Sequence, residues 1–197
     1  IDEEDILNAN LLGYKIKLLG YAELINKRIY QRVHPTLIRN NSYIASIDGV
    51  LNAVIVDGKP IGQSVIQGEG AGPGPTSSSL LSDLLSILRG NIKPPFGISY
   101  NKRKSIKPFN NQNYSNSLYL RFEVKDKQGV LSLITNRLSR FKISVKRIIQ
   151  TPDKKNKKAT IVIISHKTTE KNIRNCLSIF KKNTNILKFP TLIRLYN

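Results

Sequence analysis

The sequence predicts an α+β protein in two parts, a mixed-sheet segment followed by a ferredoxin-like βαββαβ sandwich. Three observations carry this. Residues 14–67 hold four short runs of strand character separated by turn signals. The stretch Gly90–Asn116 has no hydrophobic period and holds Pro94-Pro95, Gly97, Pro108 and Asn110-Asn111-Gln112-Asn113, which is a linker composition. Beyond it, the apolar spacing switches between strand and helix periods in the order strand, helix, strand, strand, helix, strand. The boundaries are therefore expected at 1–90, 91–116 for the linker, and 117–197.

In the first part, Asp2–Leu12 reads as a short helix with Ile6, Leu7 and Leu11 turned inward, ended by Gly13. Tyr14–Leu24 reads as a strand, and Arg28–Val33 as a second one joined to it through Asn26-Lys27. His34-Pro35 should break that second strand, because a residue before proline is pushed to extended geometry. Ser42–Ile47 is a short helix or turn. Leu51–Val56 and Pro60–Gln67 are the third and fourth strands, with Asp57-Gly58 as the hairpin signal between them.

The second part opens on Leu118, Leu120, Phe122 and Val124, which alternate with Tyr119, Arg121 and Glu123, giving a strand with one buried face. Asp126-Lys127-Gln128-Gly129 is a turn. Val130, Ile134, Leu138 and Phe141 mark one face of a helix. Ile143–Ile149 is a strand, Pro152–Lys158 a basic hairpin tip, and Ala159–Ser165 a strand apolar on both faces and so central. Thr168 or Thr169 can cap a helix carrying Ile173, Leu177 and Phe180, and Ile186–Tyr196 is the last strand.

Composition narrows the function classes. The chain of 197 residues carries 32 Lys and Arg against 13 Asp and Glu, a formal charge of +19. The basic residues are spread over both parts, with clusters at Lys102-Arg103-Lys104 and Lys154-Lys155-Asn156-Lys157-Lys158. Neither cluster has interleaved aromatics that could stack on bases, so the charge reads as solvated surface and no nucleic-acid partner is expected. The single Cys176 excludes an internal disulfide and a cysteine-cluster metal site. It reads as a small buried hydrophobe and fits a reducing, cytoplasmic compartment. No metal site is expected. His34 and His166 have no ligand-spaced partners and read as structural. No signal peptide or apolar run of membrane length appears, so a soluble protein with no membrane partner is expected. The first residue is Ile1 and an acidic helical turn follows, which reads as a piece of a longer protein.

The stretch Gly68-Glu69-Gly70-Ala71-Gly72-Pro73-Gly74-Pro75-Thr76-Ser77-Ser78-Ser79 lies between the fourth strand and a helix. In that helix, Leu80, Leu81, Leu84, Leu85, Ile87 and Leu88 form two apolar faces, so burial on both sides is expected. Glycines let backbone approach a ligand closely, Thr76 or Ser77 can cap the helix, and free N–H groups there suit an anion or a polar cofactor edge. The spacing matches neither GxGxxG nor GxxxxGK[ST].

Asn52-Ala53-Val54-Ile55-Val56-Asp57-Gly58, then Gly68-x-Gly70-Ala71-Gly72-x-x-Pro75-Thr76 and the helix, resemble the end of a homoserine dehydrogenase catalytic domain. Leu12-Gly13-Tyr14-Lys15-Ile16-Lys17-Leu18-Leu19-Gly20 and Arg32-Val33-His34-Pro35-Thr36-Leu37 resemble the same family. Residues 117–195 resemble an ACT domain, whose Asp-x-Pro-Gly-x-Leu turn reads here Asp126-Lys127-Gln128-Gly129-Val130-Leu131, with Gln128 in the proline's place. The two resemblances imply NAD(P)-dependent interconversion of L-homoserine and L-aspartate 4-semialdehyde in threonine and methionine biosynthesis, with either NADP or NAD as cofactor. They imply that Gly72 lies against the nicotinamide end of the cofactor, with Gly70, Ala71 and Thr76 beside it. They also imply a subunit-joining sheet in a homo-oligomer. Asp126, Gly129, Val130 and Leu131 would hold an amino-acid effector such as threonine, or else form a purely structural turn. The family's dinucleotide fingerprint and proton-handling residues have no match here, so no catalytic residue is assigned.

Two rival readings differ in class. A stand-alone amino-acid-sensing protein would use the second part alone, but has no need of a cofactor wall. An RNA-binding protein would fit the charge and the ferredoxin-like topology, but only Tyr119 and Phe122 are aromatic on the first strand of the second part.

Overall fold

The structure, a computed structural model, describes residues 1–91, 93–94, 97–153, 155–181 and 183–196. Pro95 of the diproline pair and Lys154 of the second basic cluster lie outside these residues. The elements are α1 (Glu3–Leu11), β1 (Tyr14–Ile25), β2 (Arg28–Arg39), β3 (Leu51–Gly58), β4 (Gly62–Glu69), α2 (Pro73–Leu88), β5 (Ser115–Asn116), β6 (Leu118–Lys125), α3 (Val130–Arg140), β7 (Val145–Asp153), β8 (Lys158–Ser165), β9 (Thr168–Thr169), α4 (Glu170–Phe180) and β10 (Thr191–Leu195). The fold class is α+β with a mixed sheet, as expected.

The chain forms two compact units, residues 1–40 with 107–197, and residues 41–106. These cuts fall elsewhere than the composition places them. In the first unit a six-stranded sheet runs β1-β2-β10-β6-β8-β7. Its last four strands have the ferredoxin-like order, and β2 joins their edge in parallel, Thr36 beside Arg194 and Leu37 beside Leu195. Residues expected to close the linker also belong here. Ile29 N donates to Lys107 O at 3.0 Å, and Phe109 N donates to Ile29 O at 2.8 Å.

The Asn26-Lys27 turn takes positive φ at both residues, the geometry that suits a tight hairpin between β1 and β2. The expected break at His34-Pro35 does not occur, and β2 continues to Arg39 with Pro35 opposite Leu18. Proline's fixed φ is compatible with an extended strand. β10 pairs with β2 only at Thr36 and Leu37, so the missing N–H leaves no ladder bond to β10 unmade. The last strand is shorter than expected: Ile186 makes only an isolated bridge to Val124, and β10 begins after Pro190. Thr169 caps α4, its Oγ1 accepting from Asn172 N at 3.2 Å, while the buried Oγ1 of Thr168 has no partner among the described residues.

One face of this sheet is packed by α3 and α4. Leu120, Phe122, Ile134, Leu138, Ile163 and Phe180 are fully or almost fully buried there, with Phe122 edge-on to Phe180 at 5.3 Å between centroids. The other face is also covered, as the two apolar faces of Ala159–Ser165 require but the polar positions of Leu118–Val124 do not suggest, and α1 lies there. That helix exposes Ile6, Leu7 and Leu11 and turns Asp5, Asn8 and Ala9 inward. Asp5 is drawn in by Arg121, a residue expected on an exposed strand face but 2 % accessible. Arg121 Nε donates to Asp5 Oδ1 at 2.6 Å and Nη2 to Asp5 Oδ2 at 3.2 Å. The same guanidinium donates to Asp2 Oδ2 at 2.8 Å, Glu4 Oε2 at 2.8 Å and Glu123 Oε1 at 3.1 Å. Tyr119 OH donates to Asp5 Oδ1 at 3.1 Å. Burial pushes the Asp5 carboxyl up, and the bonds from Arg121 and Asp2 N more than reverse this, holding it below the usual carboxylate range.

The second unit holds the β3–β4 hairpin and α2. Asp57 pairs with Gln63 and Gly58 with Gly62, so the connection is Lys59–Ile61, two residues later than the Asp57-Gly58 signal places it. Residues 43–46 form a single 3₁₀ turn. The expected burial of α2 on both sides is not found: none of its residues is buried, and Leu80, Leu81, Leu84, Ile87 and Leu88 are more than half exposed. A two-stranded hairpin offers too little apolar surface to cover a helix with two apolar faces.

Candidate functional site

β4 ends at Glu69 and α2 begins at Pro73, so Gly70, Ala71 and Gly72 make up the whole connection and Thr76 falls in the first helical turn. The four residues are brought together, and all are exposed. Gly72 is the N-cap, at φ 114° and ψ 159°, a backbone conformation that side chains other than hydrogen rarely take. Pro73 follows at the first helical position, where its missing N–H costs nothing. Gly70 N donates to Val50 O at 3.1 Å, and a Cβ at Gly70 would lie 1.8 Å from Asn52 Nδ2. A side chain at Gly70 would have to displace the exposed Asn52 amide.

The expected cap by Thr76 or Ser77 is not formed. The helix starts earlier, so both hydroxyls sit inside its first turn and bond backwards, Thr76 Oγ1 to Gly72 O at 2.8 Å and Ser77 Oγ to Gly74 O at 3.0 Å. The helix start is also poor in donors. Pro73 and Pro75 have no N–H, and Thr76 N is bonded to Gly72 O at 3.2 Å. The loop is therefore an exposed stretch of glycine backbone with few free donors, unlike the crown of donors that holds a phosphate.

The second candidate is the turn after β6. Gly129 is the N-cap of α3, with φ 86°. Asp126 N donates to Lys157 O at 3.0 Å, and Val130 N to Lys127 O at 3.3 Å. Asp126, Gly129, Val130 and Leu131 share the wall of a cavity of about 270 Å³. Gln150 of β7 lines it too, and nothing local in the sequence marks that residue.

The residue 1–85 segment matches the family model described as homoserine dehydrogenase, and residues 118–183 match the ACT domain model. A homoserine dehydrogenase of Helicobacter pylori is 34 % identical over 197 residues, all of this chain and 46 % of the relative. One from Neisseria gonorrhoeae is 34 % identical over 99 % of this chain and 46 % of the relative. The crystal structure of a homoserine dehydrogenase from Thiobacillus denitrificans superposes with a TM-score of 0.85 at 31 % identity, over 98 % of this chain and 45 % of that one. The chain thus spans under half the length of the homoserine dehydrogenases it matches. Among the described residues no group of three His, Cys, Asp or Glu side chains could hold a metal ion, and no helix is long and apolar enough to cross a membrane.

Sequence reasoning missed a polar cluster beside β2. Glu170, the first residue of α4, is 2 % accessible and accepts from Arg32 Nη1 at 2.7 Å, Arg194 Nε at 2.5 Å and Arg194 Nη2 at 2.9 Å. Burial alone would push its carboxyl up; the Arg194 and Arg32 guanidiniums reverse this and hold it at about 2, against an ordinary 4.5. His34 stands nearby, its Nδ1 within 2.9 Å of Thr36 Oγ1. Burial, with Arg194 and Arg32, keeps its pKa below the ordinary value.

The Glu170 carboxylate gives a pH prediction. A carboxyl whose folded pKa is depressed contributes stability that is fully present above its unfolded value and lost as pH falls through the folded one. The unfolding temperature of the full chain should therefore fall between about pH 4.5 and about pH 2. In Glu170→Gln the starting stability is lower and that part of the slope shallower. An unchanged slope in the variant would show that Glu170 does not carry it.

Proposed function

We propose that this chain is part of an NAD(P)-dependent homoserine dehydrogenase, a cytoplasmic oxidoreductase that interconverts L-homoserine and L-aspartate 4-semialdehyde in threonine and methionine biosynthesis. The observation that carries the reading is Gly72: an exposed glycine with positive φ at a helix start, inside the stretch that matches the family. The cofactor, NADP or NAD, supplies the hydride chemistry. This chain's part is to present the Gly70-Ala71-Gly72 backbone as a wall for the nicotinamide end, with Thr76 beside it. A wall without side chains lets a planar ring approach closely, and the exposed face of Gly72 fits that requirement.

Two further roles accompany it. The apolar faces of α2 and the β3–β4 hairpin are covered by the remaining catalytic domain and by a second subunit, because exposed apolar surface on this scale marks an interaction site. The cavity at Asp126, Gly129, Val130 and Leu131 holds a small amino-acid effector such as threonine. The stand-alone sensor reading is weaker, since a sensor has no use for the glycine wall.

The test is turnover. The full-length protein containing this sequence should oxidise L-homoserine with NADP or NAD, read as formation of the reduced nicotinamide. Residues 1–197 alone should show none, since no dinucleotide fingerprint is present in them. A full-length protein inactive with both cofactors would overturn the reading.

A further inference from the structure

We propose that the arginine-lined cleft formed by β2, α4 and the 111–112 turn binds a small dianion, either a phosphomonoester or a dicarboxylate. The site is distinct from the glycine wall and from the turn after β6, and does not rest on either.

The cleft has a volume of about 370 Å³, and its wall includes Arg32, Arg174, Arg194, Glu170, Asn111 and Gln112. Three guanidiniums meet one carboxylate. Arg194 engages Glu170 through two donors and Arg32 through one, which occupies both carboxylate oxygens. Arg174 reaches the same carboxylate only at 3.7 Å, with a side chain 66 % exposed over the opening. Two positive charges are thus left without a carboxylate among these side chains. Like charges held at such range repel, and in a partly desolvated cleft the repulsion is weakly screened. A dianion relieves it. Guanidinium forks also match the oxygen spacing of phosphate and carboxylate, and amides such as Asn111 and Gln112 donate alongside them.

His34 lines the same cleft and reports on its field. It faces Arg32 on its own strand, Arg194 on β10, and Glu170 and Arg174 on α4, with Lys167 beyond it in the neighbouring cavity. Burial first, and then the charges of Arg194 and Arg32, disfavour its protonation, and a bound dianion acts in the opposite direction.

The experiment is calorimetric titration of the full chain in chloride buffer with inorganic phosphate, with succinate, and with acetate as a monoanion control. Saturable binding of phosphate or succinate, at least about tenfold tighter than acetate, is expected. Preference for phosphate identifies the phosphomonoester class, and preference for succinate the dicarboxylate. Arg174→Gln should weaken binding at least about fivefold while leaving the ligand-free unfolding temperature unchanged, because this side chain is mostly exposed. The His34 imidazole, followed by NMR, should titrate at higher pH with phosphate bound. Absence of saturable binding, acetate binding equal to that of the dianions, or an unchanged affinity in Arg174→Gln would overturn the proposal. None of these outcomes depends on dehydrogenase turnover.

Discussion

Arg121→Met should lower the unfolding free energy of the full chain by about 3–5 kcal/mol, the range for removing one partner of a buried ion pair. Arg121 is 2 % accessible and Asp5 is fully buried, so the variant strands a carboxylate with no counter-ion. Tyr119 OH and Asp2 N, which donates to Asp5 Oδ2 at 2.9 Å, are what remain to stabilise it. Docking of α1 onto the sheet depends on that pairing, because the inward face of the helix is Asp5, Asn8 and Ala9 rather than its large apolar residues. Adding Asp5→Asn removes the stranded charge and keeps an acceptor for Tyr119. The double variant should therefore be more stable than Arg121→Met alone. Denaturant midpoints measure both. A loss under about 1 kcal/mol in Arg121→Met, or no recovery in the double variant, would mean that the cluster is held by something other than the Asp5 pairing.

Gly72→Val in the full-length protein should weaken binding of the proposed nicotinamide cofactor at least tenfold, about 1.4 kcal/mol. Two effects add. A β-branched residue resists φ near 114°, and its side chain projects from the exposed wall that the nicotinamide is proposed to meet. Gly70→Ala separates these. There φ is not in the left-handed region and the new Cβ meets the Asn52 amide, so that variant disturbs a neighbouring side chain rather than the backbone geometry. It should lower stability before it changes cofactor affinity. Ser79→Ala removes only a hydroxyl bonded to Pro75 O at 2.9 Å, and should change little. Normal cofactor affinity and turnover in Gly72→Val would place the nicotinamide elsewhere, whatever the family.

Local pattern carried much of this fold. The alternation from Leu118 to Val124, the helical stripes at Val130, Ile134 and Leu138, and at Ile173, Leu177 and Phe180, and the Asn26-Lys27 turn all gave elements of the right type. What local pattern could not carry was pairing across the chain. Arg121 looked like a surface residue because its partners Asp2, Glu4 and Asp5 lie more than a hundred residues earlier. For the same reason α1 was oriented by its leucines, although a buried ion pair decides which face turns in. Burial of α2 was misjudged because an apolar face shows only that a helix needs a cover, and not that these residues supply one. Of the candidate sites, the glycine loop and the Asp126–Leu131 turn were legible because each is contiguous. The Glu170 cluster was not, since Arg32, Glu170 and Arg194 come from distant strands and a helix.

The sheet order has a consequence for how the chain is made. A ribosome delivers β1 and β2 well before β10, yet β10 is the strand that lies between β2 and the rest of the sheet. Until then β2 presents Thr36 and Leu37 as an open edge, a template for pairing with another nascent chain. The 41–106 unit is translated inside that waiting period, so its own apolar helix is exposed at the same time. Non-local strand closure of this kind is slow, and such intermediates are the ones chaperones hold. Truncation before Thr191 should thus be felt at β1 and β2 as much as at β6, because that earlier hairpin would have no strand to join it to the rest of the sheet.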